Sequence, residues 1–395
     1  MKLRYLLFLT ICLSVNANSE VLVQKPRWVS IDFYEVENRL DTLEQAKLKY
    51  YCDSPSFRRL KPEVVEKLEV KDKYGGSDKR LEYQSDFVID SGAACFVGNI
   101  QACETAKEYF LEYARSDAPK KKYQWQGGSG RTTSSLQYGM NTYFLSHAIN
   151  FLSIYHYKVG FSEDEIDLLD RWIESKVRAF KKKHNDPSIY SKFGVHVRKS
   201  AQNHYVVSAS SSMALGAWLG NDTLFKTGLL QWATTLETMR TDGSLPHEIS
   251  RGSRAISYTG ITLTKLIRLA EMARTQGIDL YNKTIDGKTF HHAVSFMLDA
   301  VEQPSIVFEY AKYNRDSGGS IPYDRQEAKS PSSGTYSWIK PYLLRFPDHS
   351  NSRRIKDIGT KEGYFAATFA SAYHRTMSAD QHLNVKQKCF LQPTQ

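Results

Sequence analysis

The sequence predicts an all-α fold built from packed helical hairpins. Apolar residues after residue 30 recur every three or four positions, and the segments that carry this pattern run for ten to twenty residues. Short turns containing glycine separate these segments, and alternation typical of strands is scarce. Amphipathic helices joined by short turns bury their apolar faces against one another, which favours helical pairs.

The helix after residue 162 has the clearest signals. Ser162 and Glu165 have the spacing of a capping box, which satisfies free N–H groups at a helix start. One apolar face then follows through Ile166, Leu169, Ile173, Val177 and Phe180. Further helices are predicted over about 35–50, 96–115, 136–158, 204–219, 222–240, 254–276 and 288–301.

Two segments depart from this helical pattern. Residues 70–80 are glycine-rich and charged, and residues 117–135 combine a lysine run with GGSGR. The second segment lacks the GxxxxGK[ST] spacing of a phosphate loop, which excludes that kind of nucleotide site. Both are predicted as loops on the surface, and either could form a flap over a groove.

The first residues predict export. Lys2 and Arg4 precede an apolar run over 6–13, and Val15-Asn16-Ala17 provides small residues for signal-peptide cleavage. The apolar run is too short to span a bilayer, and no later segment is long and apolar enough. We therefore expect a signal peptide over 1–17, a single domain over 18–395, no membrane anchor and a periplasmic or secreted protein.

The charge of the chain points to an anionic partner. The 395 residues carry a formal charge of +10, and removal of residues 1–17 leaves +8. Such a charge suits nucleic acid, anionic lipid or an acidic polysaccharide, and it also serves solubility. Charge alone does not choose among these.

The cysteines allow disulfides without specifying them. Cys12 lies in the signal segment, and four cysteines remain. They are Cys52, Cys95, Cys103 and Cys389. An oxidising compartment permits two disulfides in three possible pairings, and no spacing typical of a zinc site occurs.

Two polar segments stand out as candidates for chemistry. Asn203 and His204 open an apolar helix, where a single histidine is most often a core residue. Arg251, Arg254 and Tyr258 are spaced so that all three share one face of a helix. Taken alone, that stripe is typical of a packed tyrosine with ion-paired arginines.

Together these segments resemble the alginate lyases of polysaccharide lyase family 5. The family has a KYxGSD loop, an Asn-Asn-His segment, LPxE, RxxRAxxY and YxW[LI]xPY. This chain has, in the same order, KYGGSD (73–78), QNH (202–204), LPHE (245–248), RGSRAISY (251–258) and YSWIKPY (336–342).

The resemblance implies an incomplete (α/α) toroid with a substrate groove at its helix-connecting end. It also implies cleavage of alginate, preferentially polymannuronate, by β-elimination without a metal or other cofactor, leaving unsaturated uronate ends. We expect a monomer that binds an anionic polysaccharide and no nucleic acid.

The chemistry of β-elimination suits the matched residues. The proton at C5 of a uronate becomes removable only when its carboxylate is neutralised, which preorganised donors achieve. By resemblance, Asn203, His204 and Arg251 neutralise the carboxylate. Tyr258 removes the proton and then protonates the leaving oxygen. His204 is also a candidate second base for guluronate, where the proton and the leaving group lie on opposite sides.

Other matched residues are predicted to contact the substrate. We expect a lid loop near 70–80 to bring two of them, and the stretch after residue 250 to supply the rest. They are Lys73, Tyr74, Arg254, Trp338, Lys340 and Tyr342. Arg254 could instead be structural, and Trp338 could equally belong to the core.

Some departures keep alternatives open. Val206 and Val207 stand where family members often carry aromatic residues, and the stretch 95–135 matches poorly. Glucuronan, hyaluronan or a mixed exopolysaccharide therefore remain possible substrates, and a non-catalytic polysaccharide-binding protein is a further alternative. No carboxylate and histidine cluster has clear metal-ligand spacing, and His291-His292 is predicted on a helix surface.

Overall fold

A computed structural model describes most of the chain. The described residues are 21–53, 60–70, 78–125, 132–181, 202–312, 321–326, 334–360, 383 and 386–391. The predicted signal peptide and most of the predicted lid loop, including Lys73 and Tyr74, lie outside them.

Helices dominate the described residues, as predicted. In chain order, the α-helices begin with α1 Phe33–Leu40, α2 Gln45–Cys52, α3 Lys79–Phe96, α4 Ile100–Ser116, α5 Thr132–Met140, α6 Ser146–Lys158, α7 Glu163–Phe180, α8 Gln202–Leu219 and α9 Asp222–Thr238. They continue with α10 Pro246–Ile249, α11 Ala255–Thr275, α12 Phe290–Glu302, α13 Phe308–Ala311, α14 Ile339–Arg345, α15 Ser350–Ile358 and α16 Gln387–Phe390. A π-helical segment, Asn141–Leu145, joins α5 to α6, and 3-10 turns cover Gly252–Arg254 and Pro304–Val307.

The helices pack as neighbouring pairs. Helix α3 packs on α4 and α6, while α8 packs on α9 and α11. One apolar core connects them and extends from Val23 to Phe390. The prediction of an all-α fold is confirmed.

Capping chemistry sets several helix boundaries. Helix α7 begins after Ser162, and both hydrogen bonds of the predicted capping box with Glu165 are formed. The helix predicted over 96–115 begins later, at Ile100, because Gly98 adopts a left-handed φ of 95° and Asn99 caps the new helix. The helix predicted over 35–50 is two helices, since α1 ends at Leu40 and α2 starts at Gln45.

Helix α3 was not predicted from the sequence. It is buried around most of its circumference and includes polar residues such as Gln84, Ser85 and Asp90 among its buried positions. A helix buried on nearly every face has no regular polar stripe, so its periodic signal is weak.

A short parallel pairing is the only sheet among the described residues. Strand β1, Lys67–Val70, pairs with β2, Lys120–Trp125, with Lys67 opposite Lys120. Residues 120–125 belong to the segment that was predicted as a surface loop, so that part of the prediction is wrong. Its basic residues gave no sign of a strand, because the strand that pairs with them lies more than fifty residues away in the sequence.

Two disulfides resolve the pairing that the sequence left open. Cys95 bonds to Cys103 between α3 and α4, and Cys52 bonds to Cys389, 337 residues away. The second bond ties α2 to α16.

Among the described residues, no helix has the length and apolar character needed to cross a bilayer.

Candidate active site

The start of α8 is held by a buried glutamate. Glu248 lies in the one-turn helix α10, which Pro246 begins. Its Oε1 accepts a hydrogen bond from the Asn203 backbone N–H at 2.8 Å and another from Asn203 Nδ2 at 3.1 Å. Asn203 and Glu248 are 1% and 0% exposed. The QNH and LPHE segments are therefore in direct contact.

Arg251, Arg254 and Tyr258 share one face, although they do not lie on one continuous helix as predicted. Gly252 has a φ of 59°, so Arg251 precedes a 3-10 turn and α11 begins only at Ala255. From 251 to 260 these three side chains are partly exposed and the remaining residues are buried. The Arg251 guanidinium carbon lies 4.2 Å from the centroid of the Tyr258 ring.

His204 lies beside a tyrosine that the sequence did not single out. The rings of His204 and Tyr138 have centroids 4.5 Å apart and planes inclined by 30°. Tyr138 sits on α5 just before the π-helical segment, a distortion that is frequent at functional sites. No motif marks Tyr138, because its partner is more than sixty residues away.

We call Tyr138, Asn203, His204, Arg251 and Tyr258 the active-site cluster. Electrostatic interactions connect Tyr138 with Tyr258 and with the neighbouring Glu248. Burial raises the pKa of Tyr138, and the neighbouring Tyr258 and Glu248 raise it further. The residues that sequence spacing placed at the site therefore come together, with Tyr138 as an addition.

Two buried cations lie along α11 behind this cluster. Lys265 and Arg268 are 0% and 2% exposed, and the Lys265 ammonium lies 5.9 Å from the Tyr138 ring centroid. Burial lowers the pKa of Lys265 well below its usual value, and the Arg268 charge lowers it further. Burial also lowers the pKa of Arg268, to about 9. Lys265 follows Tyr258 by seven residues, so extending the predicted face along the helix would have found it.

Glu248 brings an acidic group to the active-site cluster through its contact with Asn203. Burial raises the pKa of its carboxyl, while the Arg251 charge and the two N–H donors of Asn203 oppose that rise. Asn203 Oδ1 is buried and has no hydrogen-bond partner within the described part of the chain. Basic groups therefore outnumber the carboxylate here, which suits a site for an anionic sugar.

Two predicted substrate-binding residues are core residues instead. Trp338 is 0% exposed, and its indole N–H donates to the Thr335 carbonyl at 3.0 Å. Tyr342 is also 0% exposed, and its hydroxyl lies 2.7 Å from His291 Nδ1 and 3.1 Å from His349 Nδ1. These two rings cannot stack on a sugar, so that assignment is corrected. A motif match does not distinguish a groove aromatic from a buried one, and for Trp338 the core was the alternative that the sequence left open.

The other predicted substrate contacts have different outcomes. Lys340, beside Trp338, is partly exposed, as is Arg254. Val206 and Val207 are both 0% exposed. Neither valine position can offer a surface for stacking, whereas the ring of Tyr138 lies beside His204.

In the part of the chain that the structure describes, no group of three or more His, Cys, Asp or Glu side chains is arranged to hold a metal ion.

The middle part of the chain matches a known protein family. The alginate lyase family profile matches residues 86–307, which is more than half of the 395 residues. The match includes Asn203, His204, Arg251 and Tyr258.

Curated relatives are similar over shorter segments. A polysaccharide lyase from Stenotrophomonas maltophilia is 27% identical over 180 residues, which is 46% of each chain. An alginate lyase from Azotobacter vinelandii is 28% identical over 148 residues, which is 38% of this chain and 37% of the relative. The matched segments thus span less than half the length of these relatives.

Solved structures are similar over nearly the whole fold. Alginate lyase A1-III from Sphingomonas species A1 superposes with a TM-score of 0.65 at 17% identity, covering 85% of this chain and 93% of the other. An alginate lyase from Bacteroides ovatus gives 0.59 at 14% identity, covering 94% and 99%. The predicted (α/α) toroid is confirmed.

Proposed function

The chain belongs to the alginate lyase family, and we propose on that premise that it is a polysaccharide lyase that cleaves alginate by β-elimination. The observation that carries this proposal is the packing of Arg251 on the ring of Tyr258, 4.2 Å away, next to the Asn203–Glu248 contact. This arrangement places a fixed positive charge beside a phenol group that can transfer protons.

The proposed reaction has two proton movements. Tyr258 takes the C5 proton, and the electrons of that C–H bond form the C4–C5 double bond. The C4–O bond breaks, and the leaving oxygen receives a proton from Tyr258. One product therefore has an unsaturated uronate end, and the other carries the new hydroxyl.

The polar groups around Tyr258 would stabilise the intermediate. Asn203 Nδ2 has one hydrogen engaged by Glu248 and a second available for the substrate carboxylate. The Arg251 guanidinium adds positive charge as the second negative charge develops. His204, stacked near Tyr138, would complete the neutralisation of the carboxylate.

We further propose a preference for polymannuronate and independence from metal ions. In mannuronate the C5 proton and the C4 oxygen lie on the same side, so Tyr258 alone can serve both. Neutralisation by Asn203 and Arg251 takes the part that a cation plays in metal-dependent elimination. Treatment with EDTA should therefore leave the rate unchanged.

The first experiment measures the ultraviolet absorbance of unsaturated uronates. The protein without residues 1–17 is incubated with polymannuronate, polyguluronate, glucuronan and hyaluronan. We expect the fastest rise with polymannuronate. A fastest rise with another polymer would contradict the proposed substrate, and no rise with any of them would contradict lyase activity.

A substitution at Tyr258 tests the assigned base. Tyr258→Phe keeps the ring on Arg251 and removes the hydroxyl, so kcat should fall by roughly 100-fold or more. Tyr34→Phe, at a ring that is 61% exposed and outside the cluster, serves as the control and should keep the wild-type rate. Full activity in Tyr258→Phe would show that another group removes the proton.

We also propose that the protein is an exported monomer. The disulfides Cys52–Cys389 and Cys95–Cys103 support an oxidising compartment, where such bonds persist. Mass spectrometry of protein recovered outside the cytoplasm should show a chain that begins at Asn18, and light scattering should give the mass of one chain. A reduced, uncleaved chain in the cytoplasm would contradict export.

A further inference from the structure

Glu248 connects two elements that both supply residues to the active-site cluster. Its Oε1 accepts both N–H groups that Asn203 directs toward it, at 2.8 and 3.1 Å. The Glu248 carbonyl accepts the Arg251 backbone N–H at 3.1 Å. A single residue thus fixes the start of α8 and the turn that carries Arg251.

The setting of Glu248 is costly for a carboxylate. The residue is 0% exposed, and a buried carboxylate must be compensated by donors or by a positive charge. The compensation comes from Asn203 and Arg251, both of which belong to the cluster. The charge of Glu248 also reaches Tyr138, and Thr262 of α11 lies beside its carboxyl.

The Asn203 amide is oriented by this contact. Nδ2 donates one of its two hydrogens to Glu248, whereas Oδ1 is buried without a hydrogen-bond partner in the part of the chain that the structure describes. Reversing the amide would turn Oδ1 toward Glu248 Oε1, so that two hydrogen-bond acceptors would face each other. The carboxylate therefore decides which way the amide faces.

We propose that Glu248 is a positioning residue of the lyase reaction: its carboxylate orients the Asn203 amide so that the second Nδ2 hydrogen meets the substrate carboxylate. Glu248 does not touch the reacting atoms and acts through Asn203. This inference rests on the proposed function, because Asn203 must bind a uronate for its orientation to matter.

The test is a double-mutant cycle between Glu248→Gln and Asn203→Ala, assayed on the polymer that the wild type cleaves fastest. Glu248→Gln keeps the size of the side chain but offers a neutral amide, so the Asn203 amide loses its fixed orientation. We expect kcat to fall roughly 10- to 100-fold, with a smaller change in KM. The double variant should be no slower than Asn203→Ala alone, because both changes remove the same interaction.

Glu271→Gln is the matched control. Glu271 is also a buried glutamate, but its partners are Arg345, Arg274 and Tyr281, away from the cluster. Its substitution should lower thermal stability and leave kcat unchanged, and it should combine additively with Asn203→Ala.

Each outcome separates the two proposals. If the wild type cleaves no uronate polymer, the proposed function fails. If the wild type is active and Glu248→Gln keeps its kcat, or if the losses of Glu248→Gln and Asn203→Ala add, the positioning role is wrong and the function stands. Should Glu248→Gln not fold, Glu248→Asp retracts the charge by one methylene, and an unchanged kcat in that variant overturns the role equally.

Discussion

Helix α11 carries two charged regions that differ in whether their surroundings offset the cost of burying a charge. Its first half contributes Tyr258 and the buried Lys265 to the region of the active-site cluster. Its last turns contribute Glu271 and Arg274 to a second group, which we call the ion-pair network together with Glu35 and Arg345.

The ion-pair network is compensated. Arg345 lies 2.6 Å from Glu271 and 2.7 Å from Glu35, while Arg274 lies 2.7 Å from Glu35. Tyr281 donates to Glu271 at 2.8 Å. Although burial alone would raise it, the Arg345 charge and donors hold the pKa of Glu271 below its usual value.

The buried charged residues that border the active-site cluster have the opposite balance. The pKa of Glu248 is raised by burial, and the pKa values of Lys265 and Arg268 are lowered by burial. Each of these charged forms is costly in the folded protein. Charged forms that are favoured in one region and disfavoured in the other distinguish charges that stabilise the fold from charges that could serve a ligand.

The largest expected effect comes from exchanging arginine for lysine in both regions. Arg251→Lys retains the charge but loses the planar group on the Tyr258 ring, so kcat/KM should fall roughly 100-fold with little change in Tm. Arg345→Lys should lower Tm and leave kcat/KM unchanged. Steady-state kinetics and thermal unfolding check both, and the opposite pattern would contradict the division between the regions.

A smaller effect is expected on the free energy of unfolding of Glu271→Gln. Near neutral pH the variant should lose up to about 3 kcal/mol, because Arg345 and Arg274 each lose one of two carboxylate partners and keep only Glu35. The Glu271 pKa is lower in the folded state, so its contribution is present above the unfolded pKa of about 4.3 and is lost as pH falls through the folded value. Urea unfolding from pH 7 to pH 3 should show the unfolding free energies of the wild type and Glu271→Gln converge in acid. A difference that stays constant with pH would show that the ionised Glu271 carboxylate is not its source.

The smallest effect should be a gain in stability. Lys265→Met removes a buried ammonium, and the free energy of unfolding should rise by about 1–2 kcal/mol at neutral pH. Because the folded pKa of Lys265 is lowered, the wild type gains stability as pH rises toward about 10.4, so the advantage of the variant should shrink there. Lys283→Met, at an exposed position, is the control and should change stability by less than about 0.5 kcal/mol. A loss of stability in Lys265→Met would show that the ammonium is compensated.

The sequence predicted those parts of the fold that have local signals. Ser162 and Glu165 lie three residues apart, so their capping box can be read directly. Helix α3 has no comparable signal because it is buried on most faces. The pairing of Lys67 with Lys120 depends on contacts across more than fifty residues.

The site divides in the same way. The shared face of Arg251 and Tyr258 follows from their spacing, even though a 3-10 turn interrupts the helix between them. The contact of Asn203 with Glu248 joins positions 45 residues apart, and Tyr138 reaches His204 from another helix. Such contacts depend on how helices pack, so motifs alone could not place them, and the burial of Tyr342 was missed for the same reason.

The disulfide between Cys52 and Cys389 joins positions 337 residues apart and makes the polypeptide between them a covalent ring. Every residue of the active-site cluster lies inside that ring. A protease that cuts once in any loop between the two cysteines would leave both pieces attached to each other, and the nicked molecule could keep its helices assembled. In surroundings rich in proteases, the chain must be cut at least twice between the two cysteines, or reduced, before any part of the ring can be released.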